Sequence, residues 1–412
     1  MIEFERFVLD NGLKVLVHKD DSTPIVSVNI LYNVGARDED PGKTGFAHLF
    51  EHLMFGGSVN IPKFDTPLQL VGGENNAFTN NDFTNYYITI PKQNLETAFW
   101  LESDRMLDLA FSEKSLTVQK NVVIEEFKQR YLNQPYGDLW PLIRETAYKV
   151  HPYKWATIGK EISHIEKAEM VDVRGFYSKF YNPANAILCV AGNVELDEIQ
   201  RLTEKWFAPI NKKHNYQRSL PKEPVQLENR FLKVERDVPA SVLCKIYHIC
   251  SRNDKRYYAT DIISDIFSNG KSSRLYENLV KKNKMFTEIE AFITGEMDEG
   301  LFIFYGKIPD NISIETAEKE LEKEISRMKS NIIEDFELNK IKNKIEASNV
   351  FSDISCPNKA LKICVAELLG DANLANTELT QYLAVNSAQI AEVANEIFNE
   401  NNCSTIYYMA KK

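Results

Sequence analysis

Apolar and polar residues alternate over Ile25-Val26-Ser27-Val28-Asn29-Ile30-Leu31-Tyr32, which predicts a β-strand. A second strand is expected at Ala186 to Ala191. Between them the period lengthens, and Leu95 to Leu109 and Met170 to Phe180 read as helices. The segment Ser115 to Asn133 reads as a further helix with one apolar stripe. The pattern breaks in the polar stretch from Asn211 to Pro224, which holds Lys212, Lys213, His214, Asn215 and Pro221 and predicts an interdomain linker. A first domain over 1–210 and a second over 225–412 follow. Near the end of each half a helix runs through a polar turn into a late strand. Phe176-Tyr177 leads through Asn182-Pro183 into Ile187-Leu188-Cys189-Val190, and Ala394 to Phe398 leads through Asn399 to Asn402 into Ser404 to Tyr408. A duplicated α+β domain is the simplest reading.

A chain of 412 residues has room for two or more domains, and 43% hydrophobic residues can build sizeable cores. The net charge of −10, with no basic cluster, excludes a nucleic-acid partner. No stretch is long or apolar enough to span a membrane. The six cysteines form no C-x-x-C pair and read as free thiols in a reducing compartment. Met1-Ile2-Glu3-Phe4-Glu5 is not a signal peptide, so a cytoplasmic location is expected, or a periplasmic one had a leader been removed. Gly270-Lys271-Ser272 resembles the end of a phosphate-binding loop, but Asp265 stands where that loop requires glycine.

The chemistry concentrates in His48-Leu49-Phe50-Glu51-His52. Two histidines four apart share one helix face, so both imidazoles reach one metal ion. Glu51 is placed to touch a water on that ion. Zinc lowers the pKa of a bound water to about 7, and a neighbouring carboxylate can take its proton. Leu49, Phe50, Leu53, Met54 and Phe55 surround the motif with apolar bulk, in which two histidines and a glutamate are costly to bury without a partner. Gly56-Gly57 ends the helix. Catalytic zinc needs a third protein ligand. On the helix Ser115 to Asn133, Glu126 shares a face with Gln119, Val122 and Val123, whereas Glu125 shares one with Asn121, Lys128 and Gln129. The buried stripe is the better source, which selects Glu126. His18 and His214 read as surface residues, and His151, His164 and His248 as packing or surface residues.

These residues resemble the pitrilysin family of inverted-motif zinc peptidases, and within it the short-chain branch of the mitochondrial processing peptidase and its bacterial relatives. Val122-Val123-Ile124-Glu125-Glu126, Asn11-Gly12-Leu13-Lys14-Val15, Asn76-Ala77-Phe78-Thr79, Thr84-Asn85-Tyr86-Tyr87 and Ser272-Ser273-Arg274-Leu275-Tyr276 are similar to family text as well. The resemblance implies two similar domains, each a mainly antiparallel sheet packed with helices, together forming half of a clam-like dimeric chamber. It implies one Zn2+ per chain on His48, His52 and Glu126, with Glu51 as general base. It makes Asn11 to Val15 the first strand and Asn76, Ala77 and Phe78 part of a substrate-binding edge strand. Gln119 stands where many members have glutamate, and is expected to hydrogen-bond around the metal site without a charge. Val280 and Thr287 stand where members that complete the site with their second half have an arginine and a tyrosine, and neither can donate a charged hydrogen bond to an oxyanion. The resemblance therefore implies a zinc metalloendopeptidase subunit acting on unfolded peptides, in a heterodimer with a related chain that supplies the Arg/Tyr pair. A homodimer with weaker catalysis is the alternative assembly, and a non-catalytic structural or peptide-binding homologue the alternative function.

Overall fold

The alternating run Ile25–Tyr32 is strand β3 of a six-stranded sheet. Its companions are β1 (Glu5–Val8), β2 (Lys14–Lys19), β4 (Glu74–Thr79), β5 (Thr84–Pro91) and β6 (Ala186–Gly192), in the order β1-β2-β6-β3-β5-β4. Only β2 and β6 run parallel. The computed structural model describes residues 1–211, 216–330 and 333–411. Lys212, Lys213, His214 and Asn215, the polar centre of the expected linker, lie outside the described residues.

β3 and β6 are buried almost throughout because helices cover both of their faces. On one face Leu31, Ile187, Cys189 and Ala191 meet Ala360, Ile363 and Cys364 of the helix Cys356–Leu368. Asn29 on that face exchanges amide hydrogen bonds of 2.9 Å with Asn85 of β5, which satisfies both buried side chains. On the other face Tyr32 packs against Tyr86 and Tyr181.

The second sheet contains β7 (Arg230–Arg236), β8 (Val242–His248), β9 (Glu288–Ile293), β10 (Leu301–Lys307) and β11 (Cys403–Ala410), in the order β7-β11-β8-β10-β9. β7 and β11 are its only parallel pair. Phe302, Phe304 and Tyr247 pack with the helices Tyr257–Ser268, Ile314–Ser330 and Ser387–Ile397. Ile303, Ile246 and Ile406 pack with the helix Leu139–Ala147.

The order β2-β6-β3-β5-β4 in the first sheet is repeated as β7-β11-β8-β10-β9 in the second. The repeat extends to single hydrogen bonds. Asn185, before β6, donates to the carbonyl of Phe180 at 2.9 Å and to that of Asn33 after β3. Asn402, before β11, donates to the carbonyl of Ile397 at 2.9 Å and to that of His248 at the end of β8. The helix–turn–strand repeat expected from the sequence is thus one capping device used twice.

The compact units do not follow the linear division into 1–210 and 225–412. One unit contains Met1–Gln129, Trp155–Leu220 and Val350–Thr377; the other contains Arg130–Lys154, Pro221–Asn349 and Glu378–Lys412. The passage at Leu220 falls inside the expected linker, but each half of the sequence gives one helix to the other half's sheet. A sheet buried on both faces needs apolar helices on both, and the helices Leu139–Ala147 and Cys356–Leu368 meet that need irrespective of their place in the chain.

Several local expectations shift. The helix Met170–Phe180 has the expected bounds, whereas the helix expected over Leu95 to Leu109 ends at Leu107. That expected over Ser115 to Asn133 spans Glu113–Phe127 and continues as a wider π-type turn over Lys128–Leu132. The first strand is β1; Asn11 to Leu13 form the turn before β2, with Gly12 at φ +93°. His18 is buried, its Nδ1 2.6 Å from the carbonyl of Glu3, because β2 turns it away from solvent. The six cysteines are free thiols, five of them buried. No helix among the described residues is long and apolar enough to cross a membrane.

Candidate metal centre

The inverted motif occupies the helix Phe46–Leu53, whose apolar side faces a buried aromatic cluster. Phe50 stacks on Phe176 at 4.9 Å and on Tyr181 at 5.1 Å, and Tyr86 Oη lies 3.4 Å from the carbonyl of Phe50. The helix begins at Gly45, whose φ of +89° and close approach to the Ile158 carbonyl exclude a side chain there; an added Cβ would lie 2.6 Å from that oxygen. The first turn of a helix has amides with no partner inside the helix. Glu39 supplies one, accepting from Gly45 N at 2.9 Å and Ala47 N at 2.8 Å. Its carboxyl is buried, and that burial pushes its pKa well up against the pull of the two amides. After the helix, Asp104 holds the following loop by accepting from Ser58 Oγ and, at 2.6 Å, from Asn60 Nδ2.

His48 and His52 project from successive turns with ring centroids 4.8 Å apart. Glu126, on the helix Glu113–Phe127, brings Oε2 to 3.5 Å from Nε2 of His48 and 3.6 Å from Nε2 of His52. One donor atom from each of the three lies within 4.8 Å of the others. Zinc–ligand bonds of about 2.0–2.1 Å in a tetrahedron separate neighbouring donors by about 3.3 Å, so the two His–Glu spacings fit a zinc ion. The three side chains are half-buried, which leaves a side open for a fourth ligand. Glu125 points elsewhere: its side chain is 63% exposed and pairs with Lys128 at 2.7 Å. The stripe shared with Glu126 is narrower than its sequence suggested, since Val123 is buried but Val122 is 44% exposed. Gln119 is half-buried, two turns before Glu126.

Glu51 lies on the motif helix, directly before His52, and its charge adds to the rise in the pKa of Tyr86 and Tyr181 that their burial causes. Asn76, Ala77 and Phe78 lie on β4, the outermost strand of its sheet, opposite Tyr87, Tyr86 and Asn85 of β5. The N–H of Ala77 donates to the side-chain oxygen of Asn76 at 2.8 Å. Val280 packs against the core of the second sheet. Thr287 is bound to the carbonyl of Lys307 through its N–H at 2.9 Å and its hydroxyl at 3.3 Å. Lys281 pairs with Glu277 and Lys282 donates to Asn278, both one turn back.

Sequence reasoning passed over the support beneath the motif helix. Glu102 and Arg105 form a fully buried two-pronged ion pair on the helix Leu95–Leu107, and the Arg105 guanidinium lies 4.4 Å from the ring of Tyr86 and 4.6 Å from that of Phe64. The signal was present: opposite charges three residues apart on the buried face of a predicted helix. Glu39 carried none, because a helix cap six residues ahead of its helix leaves no local pattern.

Residues 14–161 match the family described as Insulinase (Peptidase family M16), and residues 169–345 match the one described as Peptidase M16 inactive domain. His48, Glu51, His52 and Glu126 all fall in the first match. Zinc protease PqqE of Helicobacter pylori is 30% identical over 411 residues, covering 98% of this chain and 92% of that protein. The crystal structure of a protease from Helicobacter pylori superposes over the whole of both chains with a TM-score of 0.93, at 30% identity. The periplasmic protease PqqL from Escherichia coli, 16% identical with a TM-score of 0.80, shares the fold over 99% of this chain but only 48% of its own. The inverted histidine motif and these likenesses agree: the chain belongs to peptidase family M16, the pitrilysin-like peptidases.

Proposed function

We propose that this chain is the zinc-bearing subunit of a metalloendopeptidase that cleaves internal bonds of unfolded peptides. The reading rests on one observation, the convergence of His48, His52 and Glu126 at spacings that suit a tetrahedral zinc ion. These residues would hold one Zn2+ per chain. Bound zinc supplies Lewis acidity and makes a water acidic enough to ionise near neutral pH. Glu51 takes the proton of the attacking water and passes it to the leaving amine. Gln119 steadies the ligand helix's carboxylate by hydrogen bonding. Asn76, Ala77 and Phe78 receive the peptide as a strand added to β4, the Asn76 side chain turning aside to free the Ala77 N–H.

The second half of the chain offers no charged donor for the oxyanion at Val280 or Thr287. A related partner supplies the Arg/Tyr pair, and the two chains enclose the substrate in a clam-like chamber. The PqqL chain, matched over about half its length, supports a fold that works in pairs. A homodimer would hold zinc and lack the Arg/Tyr pair. A structural or peptide-binding role would not need His48, Glu51, His52 and Glu126 together, and the inactive-domain match begins beyond all four.

Glu126→Ala is expected to abolish stoichiometric zinc binding while Glu125→Ala leaves it intact, measured by metal analysis of the dialysed proteins. Equal loss in both variants would remove Glu126 from the ligand set. The zinc-loaded chain alone is expected to cleave an unstructured peptide library poorly, and to gain chelator-sensitive cleavage when an M16 chain bearing the Arg/Tyr pair is added. Robust chelator-sensitive cleavage by the chain alone overturns the heterodimer. A chain that takes up no zinc overturns the peptidase.

A further inference from the structure

The last stretch of the first unit, just before the chain passes to the second at Pro221, is gripped beside the motif helix. Arg218 donates from Nε and Nη2 to the two carboxylate oxygens of Asp38, at 2.7 and 2.9 Å. Its Nη2 also donates to the backbone and side-chain oxygens of Asn33, at 3.1 and 3.0 Å. The Asp38 side chain is wholly buried; it also accepts from Gly35 N at 3.1 Å and from the hydroxyl of Tyr216. Tyr216, two residues earlier, sits edge-on against Phe180 at 4.8 Å, beneath the ammonium of Lys179.

Asp38 closes the short turn Ala36–Asp38, and Glu39 follows it directly. The two consecutive carboxylates reach in opposite directions. Asp38 takes the guanidinium of the crossing segment; Glu39 takes the amides of Gly45 and of Ala47, the residue before His48. Trp155 Nε1, donating to the Ala36 carbonyl at 2.9 Å, and the buried Arg37–Asp82 pair at 2.9 Å fix the rest of the turn. The N–H groups of Ala36 and Arg37 add bonds of 3.1 and 2.9 Å to the carbonyls of Asn80 and Asn81, so the turn is anchored behind while Asp38 and Glu39 join the crossing segment to the helix start.

We propose that Arg218 is a positioning residue for the metal-binding histidines, acting through Asp38 and Glu39 on the start of the helix Phe46–Leu53. Without the guanidinium, Asp38 is a buried charge that has lost its ion-pair partner, held by Gly35 N and the Tyr216 hydroxyl in a place it no longer favours. The turn shifts with it, Glu39 loosens from Gly45 and Ala47, and His48 is the first ligand to lose its setting. This rests on the reading of His48 and His52 as metal ligands.

The test compares the full-length parent with Arg218→Ala and Arg218→Lys, by amide hydrogen exchange and by Zn2+ competition against a chromophoric chelator. Arg218→Ala is expected to speed exchange at residues 44–48 and to weaken Zn2+ binding about tenfold or more, the usual effect of losing a group that orients a ligand. Exchange in the second sheet should not change. Arg218→Lys, which keeps the charge without the fork, should fall between and serves where the alanine variant folds poorly. Unchanged Zn2+ affinity with faster exchange only at 216–220 overturns the proposal, as does faster exchange spread evenly over the unit. A parent chain that binds no Zn2+ overturns the proposed function instead, and the exchange at 44–48 still decides whether Arg218 holds the helix.

Discussion

Glu51→Gln is expected to bind zinc as the parent does and to lose peptide hydrolysis by about 10²–10⁴-fold, the range for removal of a general base. The amide keeps the size and shape of the carboxylate and cannot accept a proton. The metal remains because its ligands would be His48, His52 and Glu126, whose donor atoms group without Glu51. Zinc content by metal analysis, and turnover measured with the proposed partner added, test the two halves of the statement separately. Cleavage at the parent rate would show that another group moves the proton. Loss of zinc together with activity would make Glu51 a ligand and redraw the site.

Arg105→Ala is expected to destabilise the first unit by about 3–5 kcal/mol, because it strands a buried carboxylate. Arg105 is 1% exposed and Glu102 is wholly buried, and each grips the other through two hydrogen bonds. Burial alone pushes the Glu102 pKa up and Arg105 pulls it back down. Remove the guanidinium and Glu102 must stay charged in an apolar setting or take up a proton. The substitution also deletes the cation lying on Tyr86 and Phe64, adding a loss of packing. The urea midpoint of Arg105→Ala reads the effect. Replacing both partners, as in Glu102→Leu with Arg105→Met, should recover much of the loss, since a well-packed apolar pair can do as well as a buried ion pair. A midpoint within about 1 kcal/mol of the parent would show that the pair contributes no more than an exposed one. Tyr86 links this pair to the motif helix, so the same variant should also bind zinc less well.

Much of this architecture was legible where the physics is local. The two-residue period of Ile25 to Tyr32 became β3 unchanged, and the helix Met170–Phe180 kept its bounds, because side-chain direction in a strand or helix is fixed by residues a few positions apart. The histidine pair needed only a four-residue spacing. Glu126, facing the histidines while Glu125 faces Lys128, follows from helical phase in the same way. Phase alone also misled: Val122 shares the apolar stripe by angle and is exposed, because the face a helix buries is set by what packs against it. The turn after Phe127 widens into a π-type turn that no periodicity announced.

Read along the chain, the motif and the duplicated turn could be seen, since each is a short pattern of residue types, and the class of fold followed from the family that the motif resembles. Folding alone decided the meeting of Glu126 with two histidines more than seventy residues earlier. It also decided the exchange of the helices Leu139–Ala147 and Cys356–Leu368 between the two halves of the sequence, the pairing of Arg218 with Asp38, and the cap that Glu39 places on the motif helix. Each of these joins residues separated along the chain by loops whose path no local period encodes. Which surfaces bury one another, and which charges must then be paired, is settled only when the sheets have closed against their helices.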